Sequence, residues 1–288
     1  MKTTQLLFAT LAMSGMLLMT SCNKDEETIN QNEQIAADDD AAEEMSNLLD
    51  ALVETHAGSD DEAANAPALK TVSLPNVTAI STGESFWPRE ITIDYGSENT
   101  AITIGSGINA RTVNIRGKIV VEKSAPLFIA NSVWNISFAD FYVSDNAIKG
   151  TQTYTNTGLN DIQNWTFAWA SDLTITATDE SWIKRTATKT REMTAGASTP
   201  LNIWDDEFTI NGTASGSNSR GWSYNNAIAN VLHKRICRFP VSGTVTLTNG
   251  ANNTFVLNYG NGECDNEASL TDTNGNQATI VLGKRWMK

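Results

Sequence analysis

Few residues of this chain have the types and spacing that chemistry requires. Its 288 residues include two histidines and three cysteines. His56 and His233 stand far apart, with no histidine pair for a zinc site and no pattern for a Ser-His dyad. The acids are more numerous. "WDDEF" at Trp204–Phe208 sets three carboxylates in a row, and carboxylate pairs do run glycoside hydrolysis. Successive strand residues point to opposite faces, however, and such a cluster ahead of a strand is ordinarily solvated. "DNE" at Asp265–Glu267 and "DTNGN" at Asp272–Asn276 offer oxygens to calcium. A calcium loop of the EF-hand type needs glycine at its sixth position and glutamate at its twelfth. Counted from Asp272 those positions hold Gln277 and Gly283. The match fails, and Asn274-Gly275 predicts a type I′ hairpin turn instead. No catalytic residue, metal ligand or cofactor site is expected.

Binding chemistry is better represented. In "NWTFAWA", Trp165, Phe167 and Trp169 are spaced by two and share one face of a strand. Exposed, they form a platform for sugar rings; buried, they fill a core. "IKRTATKTRE" likewise puts Arg185, Lys189 and Arg191 on one face. That face suits either solvent or an anionic glycan.

The elements that must position these residues fall into three parts. "MKTTQLLFATLAMSGMLLMTSC" has one lysine, an apolar run from Leu6 to Met19, and a cysteine. The run is too short to span a hydrocarbon core of about 30 Å as a helix, so residues 1–21 are expected to be a signal peptide. "LMTSC" resembles the lipobox of bacterial lipoproteins, with Met19 where leucine is usual, which makes Cys22 the expected site of lipidation. Acyl chains anchor a protein to a membrane without a spanning helix.

Residues 22–70 form the second part, an acidic tether. Fourteen of the 33 acids lie between residues 23 and 66 beside a single lysine. The remainder of the mature chain is close to neutral, which gives no basic field for nucleic acid. "CNKDEETINQNEQ" is polar enough to predict disorder over 23–37. "CNKDEE" resembles the acidic export signal of lipoproteins displayed on the outer face of the outer membrane, and also reads as a plain soluble spacer. Met45, Leu48, Leu49, Leu52 and Val53 repeat at helical spacing, which predicts a short amphipathic helix over about 40–56. Asp38 to Asp40 suit its N-terminus and Gly58 its end.

From residue 71 to 288 the period changes to two. "REITIDYG", "RTVNIRGKIVV", "NISFADFYV", "NWTFAWASDLTIT", "EFTINGTA", "SGTVTLTNG", "NTFVLNYG" and "QATIVL" are rich in Val, Ile, Thr and aromatics and are bounded by Gly, Asn and Asp. This predicts an all-β body, an antiparallel β-sandwich built as one unit or as two packed β-units. "VSGTVTLTNGANNTFVLNYG" predicts a hairpin with strands near Val241–Thr248 and Thr254–Tyr259. The midpoint between Asn249 and Asn252 coincides with that between Cys237 and Cys264, so the two cysteines are expected to meet at its open end as a disulfide.

"FWPREITIDYG", "RGKIVV", "IKGTQTYTNTG", "TREMTAG", "FTINGTASG", "CRFPVSGTVTL" and "LNYGNGECDNEASLT" together resemble the uncharacterised surface lipoproteins of Bacteroidetes-type bacteria. The resemblance covers about residues 86–283. This chain lacks the cysteine that such proteins often carry after the first "DYG", and has Met193 where they often have tryptophan. The resemblance implies a lipid-anchored outer-membrane protein facing the cell exterior, with no assigned function. The reading that follows is a non-enzymatic binding or adhesion module for a glycan, a matrix component or an envelope protein. A carboxylate-dependent carbohydrate-active enzyme and a fimbria-like structural subunit are the alternatives.

Overall fold

The computed structural model describes residues 24–58, 75–105, 110–199 and 202–283. The expected signal peptide, Cys22 and the linker over 59–70 lie outside the described residues. One long helix, α1 (Lys24–Val53), runs into a π-helical turn at Glu54–Gly58. The first seven strands are β1 (Asn76–Ser81), β2 (Arg89–Asp94), β3 (Thr100–Ile104), β4 (Arg111–Lys123), β5 (Val133–Val143), β6 (Asn146–Leu159) and β7 (Trp165–Thr176). The rest are β8 (Trp182–Ala195), β9 (Glu207–Asn218), β10 (Ser223–Lys234), β11 (Ser242–Asn249), β12 (Thr254–Asn261), β13 (Glu267–Asp272) and β14 (Gln277–Val281).

The body is antiparallel and all-β, as the period-two runs predict. Its 14 strands form one continuous meander in which each strand pairs with its sequence neighbour from β4 onward. β2 and β3 lie end to end along β4, and β1 closes that edge against β2. The packing has two halves. One buried cluster gathers Ile91, Ile119, Trp134, Ile148 and Leu173, and the other gathers Phe208, Leu247, Phe255, Leu257 and Leu270. α1 contributes to both, through Leu49 and Leu52 on one side and Ile35 and Ala36 on the other.

The helix is the largest departure from expectation. It starts 16 residues before the predicted Asp40, and over 38–53 it is buried on every side. Residues 23–37 were expected to be a disordered tether; from Lys24 onward they are helical. α1 is bonded by β4, β6, β8, β9, β10 and β11 and by the chain after β14, so the sheet curls around it. A polar helix is stable there because the inner face of the sheet carries matching cations. The outer face is small and polar. Thr151, Asp172, Thr186, Ser215, Asn225 and Thr248 lie side by side in one row across six strands. That chemistry is unlike the apolar outward band of a membrane-spanning barrel.

The two ends of the sheet are built differently. The connections β7–β8, β9–β10, β11–β12 and β13–β14 are tight three-residue loops, each with its third residue at positive φ: Glu180, Gly221, Asn252 and Gly275. In three of them an Asn or Asp opens the loop, and its side chain accepts two backbone N–H groups of the turn. This corrects two details. Asn274-Gly275 is not a type I′ turn, because only Gly275 takes positive φ. The β11–β12 register pairs Thr248 with Thr254, one residue away from the predicted register, because Asn249 bonds across the loop to Asn253. A second shift at Gly243 leaves Cys237 and Cys264 beyond the strand ends. They still meet as a disulfide, with Cα atoms 5.3 Å apart.

The longer connections β4–β5, β8–β9, β10–β11 and β12–β13 gather at the opposite end, together with the disulfide and the C-terminal end of α1. Loops carried on a rigid scaffold are where binding residues concentrate.

Candidate functional site

The site is built on the meeting of α1 with the inner face of β8. Strand alternation points Ile183, Arg185, Ala187, Lys189, Arg191 and Met193 inward, and leaves Lys184, Thr186, Thr188 and Thr190 outside. Arg185 binds Asp39 through Nε at 2.6 Å and Glu43 through Nη1 at 2.9 Å. Lys189 binds Glu43, and Arg191 binds Asp50 through Nη2 at 2.6 Å. Asn218 and Asn226 donate to Asp38 and Asp39 at 2.7 and 2.8 Å. Burial alone would raise the Glu43 carboxyl, but Lys189 and Arg185 beside it bring it down to about 2. Burial outweighs the same contact for Lys189 and lowers it to about 8. Asp40 has no such cation among the described residues: its carboxylate accepts the Gly283 N–H at 3.3 Å, and burial with the neighbouring Glu44 raises it well above the carboxylate range. Part of the acidity assigned to a solvated tether, at Asp39, Glu43, Glu44, Asp50 and Glu54, is therefore met by cations inside the fold.

Beyond the last turn of α1 the interior is not filled. A cavity of about 300 Å³ lies among the π-helical turn, the β4–β5 loop, the inner faces of β6 to β9 and the β8–β9 connection. Leu127, Phe128, Ile129, Phe167, Met193 and Phe208 give it apolar walls. Glu54, Tyr154, Arg191 and Asp206 give it one polar side. Ile129 is 53 % exposed and marks the mouth. Most of the polar groups are already engaged. Glu54 binds Arg235, Tyr154 donates to Asp50, and Arg191 is held by Asp50 and Asn47.

Asp206 is the exception. It is 6 % exposed, and its carboxyl has no hydrogen bond or ion pair among the described residues. Burial, with the Glu54 charge behind it, raises the carboxyl to about 8, and Arg235 offsets only part of that. Its place depends on Gly196, at φ +93, since a Cβ there would lie 2.0 Å from Asp206 Oδ1.

The predicted binding residues have other roles. Phe167 and Trp169 are core, at 5 % and 1 % exposure, because the face they share turns toward α1. Trp169 lies against Lys189 and Arg191, at 4.4 and 5.0 Å from its ring centroid. Trp165 is half-buried and backs Phe128 at 5.6 Å, while Phe167 lines the cavity. No platform for sugar rings exists at this stripe, and Arg185, Lys189 and Arg191 do not face solvent. Of the acids in "WDDEF", Asp206 is not solvated as expected but closes the cavity. Compared with known proteins, the chain matches no family model, no curated protein and no solved structure.

Among the described residues no group of three or more His, Cys, Asp or Glu is placed to hold a metal ion, and no helix is long and apolar enough to cross a membrane. His233 and His56 are held neutral, since burial lowers them to about 3 and about 4. What the arrangement can do is enclose an apolar molecule and meet one polar end of it.

The cavity was missed in the sequence for a physical reason. Glu54 and Asp206 are 152 residues apart, and nothing local to "WDDEF" shows that a helix end packs beside it. The only available signal was the inner face of β8, where Ile183 and Met193 flank three cations and Ala187. A face that mixes cations with apolar residues matches a buried acidic partner better than it matches water.

Proposed function

We propose that this chain is a non-catalytic binding protein of the bacterial surface, lipid-anchored through Cys22, whose cavity takes up a small apolar molecule. The observation that carries the reading is the unfilled, largely apolar cavity among the long loops, with one polar side. Sugar hydroxyls would find few partners on walls of Leu127, Phe128, Ile129 and Met193, which favours an apolar ligand over a glycan. The same walls speak against the carbohydrate-active alternative, although Glu54 and Asp206 do share the cavity. The length and direction of α1 support an orientation for the site. α1 begins two residues after Cys22 and its 30 residues span roughly 45 Å. A lipid on Cys22 would hold the tight-turn end of the sheet toward the membrane, with the cavity facing away.

The test is titration of the mature chain, with Cys22→Ser so that no lipid competes, against the neutral fluorophore N-phenyl-1-naphthylamine. Saturable binding at one site per chain is expected, weakened at least about tenfold by Ile129→Trp at the mouth. Absence of saturable binding would overturn the reading.

A second reading, assembly as a structural subunit, has one observation in its favour. Among the described residues β1 is an edge strand paired only with β2, and it exposes Val77 and Ile80 at 40 % and 58 %. It predicts self-association that Ile80→Lys abolishes, measured by light scattering.

A further inference from the structure

The charges around the cavity specify more than an apolar guest. Glu54 is paired with Arg235 and Arg191 with Asp50, the Arg191 Nε being left without a hydrogen bond, so among the described residues the carboxylates of the polar side meet a cation except at one group. That group is the Asp206 carboxyl, buried, without a partner among the described residues, and lining the cavity. Gly196 holds space for it that any side chain would take. The rings of Phe128, Phe167 and Phe208 line the same cavity, and aromatic faces attract a cation, as the Arg235 guanidinium 5.5 Å from the Phe208 ring centroid already does. A carboxylate ligand would bring a negative charge to a site where, among the described residues, Arg191 and Arg235 already have carboxylate partners. An alcohol would leave Asp206 uncompensated whenever it ionises.

Resting on the cavity reading, we propose that the site selects a molecule with a single amine on an apolar body, its ammonium group meeting the Asp206 carboxylate. The groups that face Asp206 are Glu54 from the helix end, Arg235 beyond β10, the adjacent Asp205, and Arg191 across the cavity. In the empty site burial and Glu54 keep Asp206 protonated near neutral pH. Entry of an ammonium ion then expels one proton, so affinity for the amine rises with pH until Asp206 is ionised without help.

The test is displacement of N-phenyl-1-naphthylamine from the mature Cys22→Ser chain by octylamine, 1-octanol and octanoate. At about pH 8 octylamine should displace the probe at a concentration at least about tenfold below either competitor. Its advantage should shrink by up to about tenfold per pH unit toward about pH 6. Asp206→Asn should reduce octylamine to the level of octanol while probe binding persists. Equal displacement by octanol or octanoate, a pH-independent advantage, or an advantage that survives Asp206→Asn would overturn the proposal and leave the cavity reading standing. Failure of the probe itself to bind would remove both.

Discussion

Trp169 and Lys189 face each other across the β7–β8 ladder, with the ammonium group 4.4 Å from the ring centroid and both side chains buried. Lys189 also binds Glu43 of α1, so one cation joins the aromatic stripe of the sheet to the acidic helix. Helix and sheet are each incomplete alone. The helix is polar and acidic, and the sheet's inner face carries charges that only the helix neutralises.

Lys189→Met should therefore be costly, by about 3 kcal/mol, because it leaves Glu43 buried with less compensation. Glu43→Gln with Lys189→Met should recover much of that loss. Urea unfolding of the single and double variants checks this. Glu43 is depressed in the fold, to about 2 from an ordinary value of 4.5. Its contribution is fully present above about pH 4.5 and is lost as pH falls through about 2. In Lys189→Met the acid loss should begin at higher pH.

Asp206 has the opposite sign. Its folded value is raised from 3.8 to about 8, so the folded chain holds a proton that the unfolded chain releases. Stability is thereby lost as pH rises between these values, by up to ~1.4 kcal/mol per pH unit for this one group. Asp206→Asn removes the cost. The variant should match the wild type near pH 4 and exceed it increasingly up to about pH 8, measured by urea unfolding across that range.

How much of this was legible in the sequence follows from where the information sits. The strands were visible because alternation along one strand is local, and Trp165, Phe167 and Trp169 do share a face. Which face turns inward is not local. It depends on α1, whose acids look solvated until Arg185, Lys189 and Arg191 are known to meet them. The Cys237–Cys264 bridge was legible because hairpin symmetry brings the two residues near each other even though the register slips at the turn and again at Gly243. The cavity was illegible because its walls come from a helix end, a loop and strands that are remote in sequence.

The disulfide closes the long-loop end across a sequence separation of 27 residues. Replacing both cysteines with serine should cost about 3.5 kcal/mol in the chain-entropy account. Peptide mapping without reduction should find Cys237 joined to Cys264, and thermal unfolding of the double variant should show the loss.

Cys22→Ser in the native host should release the protein from the membrane or leave the precursor unprocessed, since acylation needs the thiol. Fractionation of cells checks this. A processed variant that stays membrane-bound would contradict the anchor.

The central claim is that a ligand enters the cavity between the end of α1 and the long loops. Amide hydrogen exchange, with and without saturating N-phenyl-1-naphthylamine, locates the binding directly. The account predicts slowed exchange in peptides covering Pro126–Ile129 and the segment from Arg191 to Phe208, with the tight-turn end unchanged. Protection confined to the outer face of the sheet or to β1, or no protection at all, would contradict it.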